Sequence, residues 1–127
     1  MEIKKLLIVD DDRIICGLFK SLLEPDGYEV TTTLSGKEAI EKAKVQKFDI
    51  VFIDVVMPEM DGVQTLKELL KITPSTVFVM MTGFAVDEKI QEALSLGAFD
   101  FIYKPFADKE VKVVFDKIAK KEKLKKL

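Results

Sequence analysis

The chain has 127 residues, 48% of them hydrophobic and 33% charged, with a net charge of -2, which fits one folded globular domain and offers no general attraction for nucleic acid. One cysteine and no histidine exclude an internal disulfide, histidine-based catalysis and any histidine or multi-cysteine metal site, so a bound metal must be held by oxygen. No apolar stretch approaches the roughly 18 residues of a membrane span, and early acids interrupt any signal-peptide core, so a cytoplasmic protein without a membrane partner is expected.

The first apolar run, Ile3 to Val9, predicts a strand that stops against Asp10, Asp11 and Asp12. Adjacent carboxylates repel and resist burial, so a strand that delivers three of them asks for a cation. A helix follows from near Asp12, with Ile14, Ile15, Leu18, Phe19, Leu22 and Leu23 on its apolar face and the turn "EPDG" at its end. Cys16 falls within that pattern and reads as a small packed side chain. Tyr28 to Thr32 predicts the second strand. Ser35 with Glu38 forms a capping-box pattern opening a helix that carries Ala39, Ile40 and Ala43.

Ile50 to Ile53 predicts the third strand, ending at Asp54. Pro58 delays the next helix to about Gly62, with Asp61 as its cap and Val63, Leu66, Leu69 and Leu70 as its buried stripe, before Pro74 forbids continuation. Thr76 to Met81 predicts the fourth strand, ending at Thr82 and Gly83. Val86, Ile90, Ala93 and Leu94 mark the fourth helix, which Gly97 terminates. Phe99 to Tyr103 predicts the fifth strand, with Phe99, Phe101 and Tyr103 on one side and Lys104-Pro105 at its end. Val111, Val114, Phe115, Ile118 and Ala119 mark the last helix. The five methionines read as core filling. Residues 120–127 are lysine-rich and read as the basic end of the last helix or the start of a linker.

Strands alternate with helices throughout, which predicts an α/β fold with a parallel sheet covered on both faces. "LLIV", "IVFI" and "VFVMM" are continuous apolar runs, as central parallel strands require. Ligands of such sheets bind outside the carboxyl ends of the strands. Asp10, Asp11, Asp54, Thr82 and Lys104 all fall there. An oxygen-only acidic cluster suits Mg²⁺, and a carboxylate beside the metal is able to act as a nucleophile toward phosphorus.

"LLIVDDD", "DVVMPEMDG", "MMTGFA" and "YKPF", in this order and spacing, resemble the receiver (CheY-like) domain of two-component response regulators, and the likeness runs from Lys4 to Ala119. The resemblance implies a flavodoxin-like (βα)5 fold with strand order 2-1-3-4-5, a single receiver domain over residues 1–127. It implies a phosphorylation-dependent switch that is not an enzyme, and phosphorylation of Asp54 by a histidine kinase or phosphotransfer protein. Asp10, Asp11, Asp54 and the Val56 carbonyl would hold Mg²⁺, Thr82 would hydrogen-bond the phosphoryl group, and Lys104 would pair with it. The family carries a cis bond before the proline that follows this lysine.

Thr82 and Phe101 would be the switch pair, acting on the face of the fourth helix, fifth strand and fifth helix; a static core aromatic is the other reading of Phe101. Target proteins, an output domain outside this sequence, or a second copy would read that face. Asp12 falls outside the metal pair and reads as a helix cap. Val56 and Phe84 flank the acceptor and are both apolar, which implies a long-lived acyl phosphate. A haloacid-dehalogenase reading of Asp10 and Asp12 fails at Ile14 and on the lack of a cap insertion. A flavodoxin reading fails on the lack of a phosphate cradle after the first strand.

Overall fold

The structure is a computed structural model and describes residues 2–83 and 87–125. Along these residues run β1 (Lys5–Val9), α1 (Arg13–Leu23), β2 (Glu29–Thr33), α2 (Gly36–Val45), β3 (Ile50–Asp54), α3 (Gly62–Ile72), β4 (Val77–Thr82), α4 (Asp87–Leu96), β5 (Asp100–Tyr103) and α5 (Asp108–Lys125). All pairings are parallel and the sheet order is β2-β1-β3-β4-β5, the flavodoxin-like order expected. The chain steps outward from β1 to β2 and then back across β1 to β3. The order therefore reverses at the β1/β3 pair, where a crevice forms at the carboxyl ends.

Alternation along the continuous apolar strands feeds two cores. Leu7, Val9, Val51, Ile53, Phe78 and Met80 pack with α2, α3 and α4 through Ala39, Val63, Leu66, Leu69, Ile90 and Ala93. Leu6, Ile8, Ile50, Phe52, Val79 and Met81 pack with α1 and α5 through Cys16, Phe19, Leu23, Val111, Val114, Phe115 and Ile118. Each fully buried Leu, Ile or Phe contributes about 1.5–3 kcal/mol, so the central strands are the rigid part from which the site is built. Phe19 ties the second core together, with ring centroids 4.9 Å from both Phe52 and Phe106.

Several expectations are corrected by the packing. Ile14 is 80% exposed, and the buried face of α1 begins at Cys16 and continues through Phe19 and Leu23. Ala119 is exposed. Phe99 does not share a side with Phe101: it precedes the pleat of β5 and packs into the α1/α5 core, whereas Phe101 packs into the α2/α3/α4 core. Lys121 then lies 5.1 Å from the Phe99 ring centroid. The Ser35 cap keeps only one half of its box, the Glu38 amide to Ser35 Oγ at 3.1 Å, while the complete capping box is Asp61 with Gln64. Met57, Met80 and Met81 are buried as core filling, and Val86 lies outside the described residues.

The turn between β3 and α3 carries a local cost. Glu59 has a φ of 67°, and the Met60 amide donates to the Pro58 carbonyl at 2.8 Å. Gly62 donates its N–H to the Val55 carbonyl at 2.9 Å, and a Cβ there would lie 2.8 Å from Val55 Cα and against the Asp54 carbonyl. Gly62→Ala is expected to destabilise the fold by about 1–3 kcal/mol in urea unfolding, because the obstructing atoms are backbone. Glu59→Gly is expected to stabilise by up to about 1 kcal/mol, since relief of the left-handed conformation outweighs the entropy of glycine.

Candidate functional site

The sheet register builds the site. Val9 pairs with Ile53, so the next residues, Asp10 and Asp54, stand side by side at the β1/β3 reversal. Asp54 pairs with Met81 and Thr82 with Tyr103, which sets Thr82 one residue beyond Asp54 and Lys104 one residue beyond Thr82. The Lys104 amide donates to the Thr82 carbonyl at 2.8 Å, and the Lys104–Pro105 peptide is cis. Asp10, Asp54 and Thr82 are buried, whereas Asp11 is exposed.

Lys104 Nζ reaches Asp10 Oδ2 at 2.5 Å and Asp54 Oδ2 at 3.3 Å. The other oxygens are held by backbone: the Asp12 amide donates to Asp10 Oδ1 at 2.9 Å and the Val56 amide to Asp54 Oδ1 at 3.4 Å. The Asp10 backbone is held too, its N–H donating to the Thr33 carbonyl at 3.1 Å and its carbonyl accepting from the Cys16 thiol at 3.5 Å. Burial, reinforced by the charges of Asp10 and Asp12, pushes the Cys16 thiol up to about 11, so it stays a protonated packing group.

Burial and the neighbouring Asp10 charge push the Asp54 carboxyl up to about 6, against the opposing pull of Lys104 and the Val56 amide. Burial pulls Lys104 down, but its contacts with Asp10 and Asp54 outweigh that and leave it above the usual lysine value. Two buried carboxylates thus share one ammonium, and the site keeps an excess of negative charge.

Oxygens of Asp10, Asp11 and Asp54 all lie within 4.8 Å of one another. Buried Asp10 Oδ2 has the Lys104 ion pair and no hydrogen bond of good geometry. An all-oxygen acidic set with three carboxylates against one ammonium fits a hard divalent cation such as Mg²⁺. Asp12 is exposed and accepts from the Ile14 amide at 2.9 Å as the cap of α1, so no Asp-x-Asp pair of the dehalogenase kind forms. Val56 is 49% exposed, two residues from Asp54, and Phe84 lies outside the described residues.

Thr82 and Phe101 lie on the same face of the sheet by alternation, with Phe101 paired to Met80 and half-buried. Tyr103, the register neighbour of Thr82, is 55% exposed and meets the Phe101 ring edge-on at a centroid distance of 5.4 Å. Sequence reading missed the Asp61 contact with Lys89 at 3.2 Å, since nothing in the "MDG" motif points to a lysine of α4. A surface depression of about 510 Å³ lies at the opposite edge of the sheet among Asp49, Thr76, Phe99 and Lys121, away from the carboxylates. Among the described residues, no helix is long and apolar enough to cross a membrane.

Residues 6–116 match the family model of the response regulator receiver domain. The chain is 38% identical over 118 residues to the chemotaxis protein CheY of Thermotoga maritima, covering 92% of this chain and 98% of that protein. It is 42% identical over 100 residues to the transcriptional regulatory protein ZraR of Escherichia coli, covering 79% of this chain but only 23% of that protein. A CheY-like receiver domain protein from Methanospirillum hungatei superimposes with a TM-score of 0.88 at 32% identity, covering 96% of this chain and 98% of that one. The chain belongs to the response regulator receiver domain family of two-component systems.

A raised carboxyl has a definite effect on stability. Between about pH 4 and 6 the native state binds more protons at Asp54 than the unfolded state does, so stability falls as pH rises through this window. Asp54→Asn is therefore expected to stabilise the metal-free protein above pH 6, with the gain fading toward about pH 4, as read by urea unfolding in a chelator. Lys104→Met should move the Asp54 midpoint upward, and Asp10→Asn should move it downward.

Proposed function

We propose that the protein is a phosphorylation-dependent switch in which Asp54 accepts a phosphoryl group from the phosphohistidine of a histidine kinase or phosphotransfer protein. The observation that carries this reading is the convergence of Asp10, Asp11 and Asp54 oxygens with the Lys104 ammonium at one sheet edge. Asp10, Asp11 and Asp54, with the Val56 carbonyl, are the residues that would hold Mg²⁺. When bound, the ion neutralises the carboxylates and the charge on the transferring phosphoryl oxygens.

The chemistry of the chain itself is simple. An Asp54 carboxylate oxygen forms the bond to phosphorus while the phosphorus–nitrogen bond breaks, and its electron pair stays on the donor imidazole. Asp54 must be ionised to attack, a form that Lys104 favours and that a bound cation would favour further. Lys104 is close enough to exchange its carboxylate contacts for phosphoryl oxygens, and the Thr82 hydroxyl is the candidate hydrogen-bond donor on the other side. Water is the acceptor in the later loss of phosphate, so the protein acts as an acceptor that dephosphorylates itself and not as an enzyme on a separate substrate.

The modification adds about 1.5 to 2 negative charges to a site already in excess of them. Thr82 drawn toward that charge vacates space next to Phe101 and Tyr103, which supports a packing switch acting on the face of α4, β5 and α5. We read residues 1–127 as one receiver unit in the cytoplasm, with residues 120–127 ending the last helix or opening a linker. Target proteins, an output domain such as those of the longer relatives, or a second copy of the chain would read the face; nucleic acid would not be bound by this domain.

Incubation with acetyl phosphate and Mg²⁺, read by intact mass, is expected to add one phosphoryl group, and Asp54→Asn to remove it. Full labelling of Asp54→Asn would move the acceptor elsewhere, and turnover of a phosphomonoester without an adduct would favour a phosphatase. The side chains of Val56 and Phe84 carry no hydrogen-bonding group that could hold an attacking water, so the adduct is expected to persist for minutes or longer in a time course; a half-life of a few seconds would overturn this.

A further inference from the structure

The β3–α3 turn is held at its far end by a different helix. Asp61 Oδ1 accepts from the Gln64 amide at 2.9 Å, and Gln64 Oε1 returns to the Asp61 amide at 2.9 Å. The Asp61 carbonyl accepts from Thr65 Oγ1 at 2.9 Å. The remaining oxygen, Oδ2, takes Lys89 Nζ of α4 at 3.2 Å. Burial pushes the Asp61 carboxyl up, but the Gln64 amide and Lys89 outweigh it and hold the group below the usual carboxylate value.

From Asp61 the connection to the acceptor is short. The next residue, Gly62, bonds the Val55 carbonyl at 2.9 Å and has no room for a Cβ between its Cα and the Asp54 carbonyl. Val55 directly follows Asp54, and the next residue, Val56, donates its amide to Asp54 Oδ1. A shift of the α3 cap therefore moves the backbone that carries both the acceptor and the Val56 carbonyl.

We propose that Lys89 is a positioning residue for the acceptor site: its ion pair with Asp61 pins the β3–α3 turn so that the Asp54, Asp10 and Asp11 oxygens stay together, coupling α4 to the cation affinity of the site. The inference rests on the reading of that site given above. The coupling is reciprocal, so a bound cation that orders the turn also strengthens the hold on α4. This connection runs through the α3 cap and is separate from the one through Thr82 and Phe101.

The sign of the effect distinguishes positioning from plain electrostatics. Removal of a positive charge near an acidic cluster should tighten Mg²⁺ binding, whereas loss of the pin should weaken it. The pair is partly exposed, so the weakening is expected to be about twofold to fivefold. Two neighbouring ion pairs serve as comparisons. Lys71 with Glu68 lies within α3, and Lys67 with Glu92 joins α3 to α4 without touching the cap.

The test is a calorimetric titration of Mg²⁺ into the whole chain and into Lys89→Met, Lys89→Arg, Lys67→Met and Lys71→Met, with folding checked by urea unfolding. The expected result is weaker binding in Lys89→Met alone, restored in Lys89→Arg, with the difference shrinking as added salt screens the pair. Binding by Lys89→Met as tight as the parent or tighter overturns the proposal, as does equal weakening in Lys67→Met. A parent that binds no Mg²⁺ overturns the reading of the site itself, and a parent that binds while Lys89→Met is unchanged overturns only the pin.

Discussion

Two buried carboxylates, Asp10 and Asp54, stand side by side with one ammonium between them. Everything else at this edge of the sheet follows from keeping that arrangement intact. An unpaired buried charge costs several kcal/mol, so Lys104 must reach both, and it does so from the far side of β4 because it follows Tyr103, the last residue of β5 and the partner of Thr82. One ammonium does not neutralise two carboxylates, and burial together with the Asp10 charge raises the pKa of Asp54. The site is left short of positive charge, which is the state that favours a divalent cation.

Such a site needs a support that does not yield. The two cores supply it, since Leu6 to Val9 and Ile50 to Ile53 are fully buried or nearly so, and a shift of either strand would disturb packing on both faces. The turn after β3 is less favourable. It holds Glu59 in a left-handed conformation and presses Gly62 against the Asp54 backbone, and it is stabilised from outside by the α3 capping box and by Lys89. Stability and local cost are therefore placed in different segments, the strands carrying the first and the β3–α3 turn the second.

Much of this arrangement is legible in the amino-acid order. Continuous apolar runs identify central parallel strands because both faces are covered, and Asp12, Asp61 and Gly97 mark helix ends through their own local chemistry. Two of the misread residues share one cause. Ile14 and Phe99 fit the local period, but each sits at the end of its element, where burial depends on how far the neighbouring elements extend, whereas Ala119 is exposed within α5. The half-formed box at Ser35 is similar, since spacing permits a reciprocal bond that the side chain of Glu38 does not make.

Local pattern suffices for the elements, their parallel order and the gathering of Asp10, Asp11, Asp54, Thr82 and Lys104 at one edge, because strand period and strand ends are properties of short stretches of chain. Which of those groups touch is a matter of packing in three dimensions: Lys104 bridges Asp10 and Asp54, Asp12 turns away into its cap, and Asp61 takes a lysine from α4. Register and helix docking set those distances, and they arise from contacts between residues far apart in the chain, which no local pattern encodes.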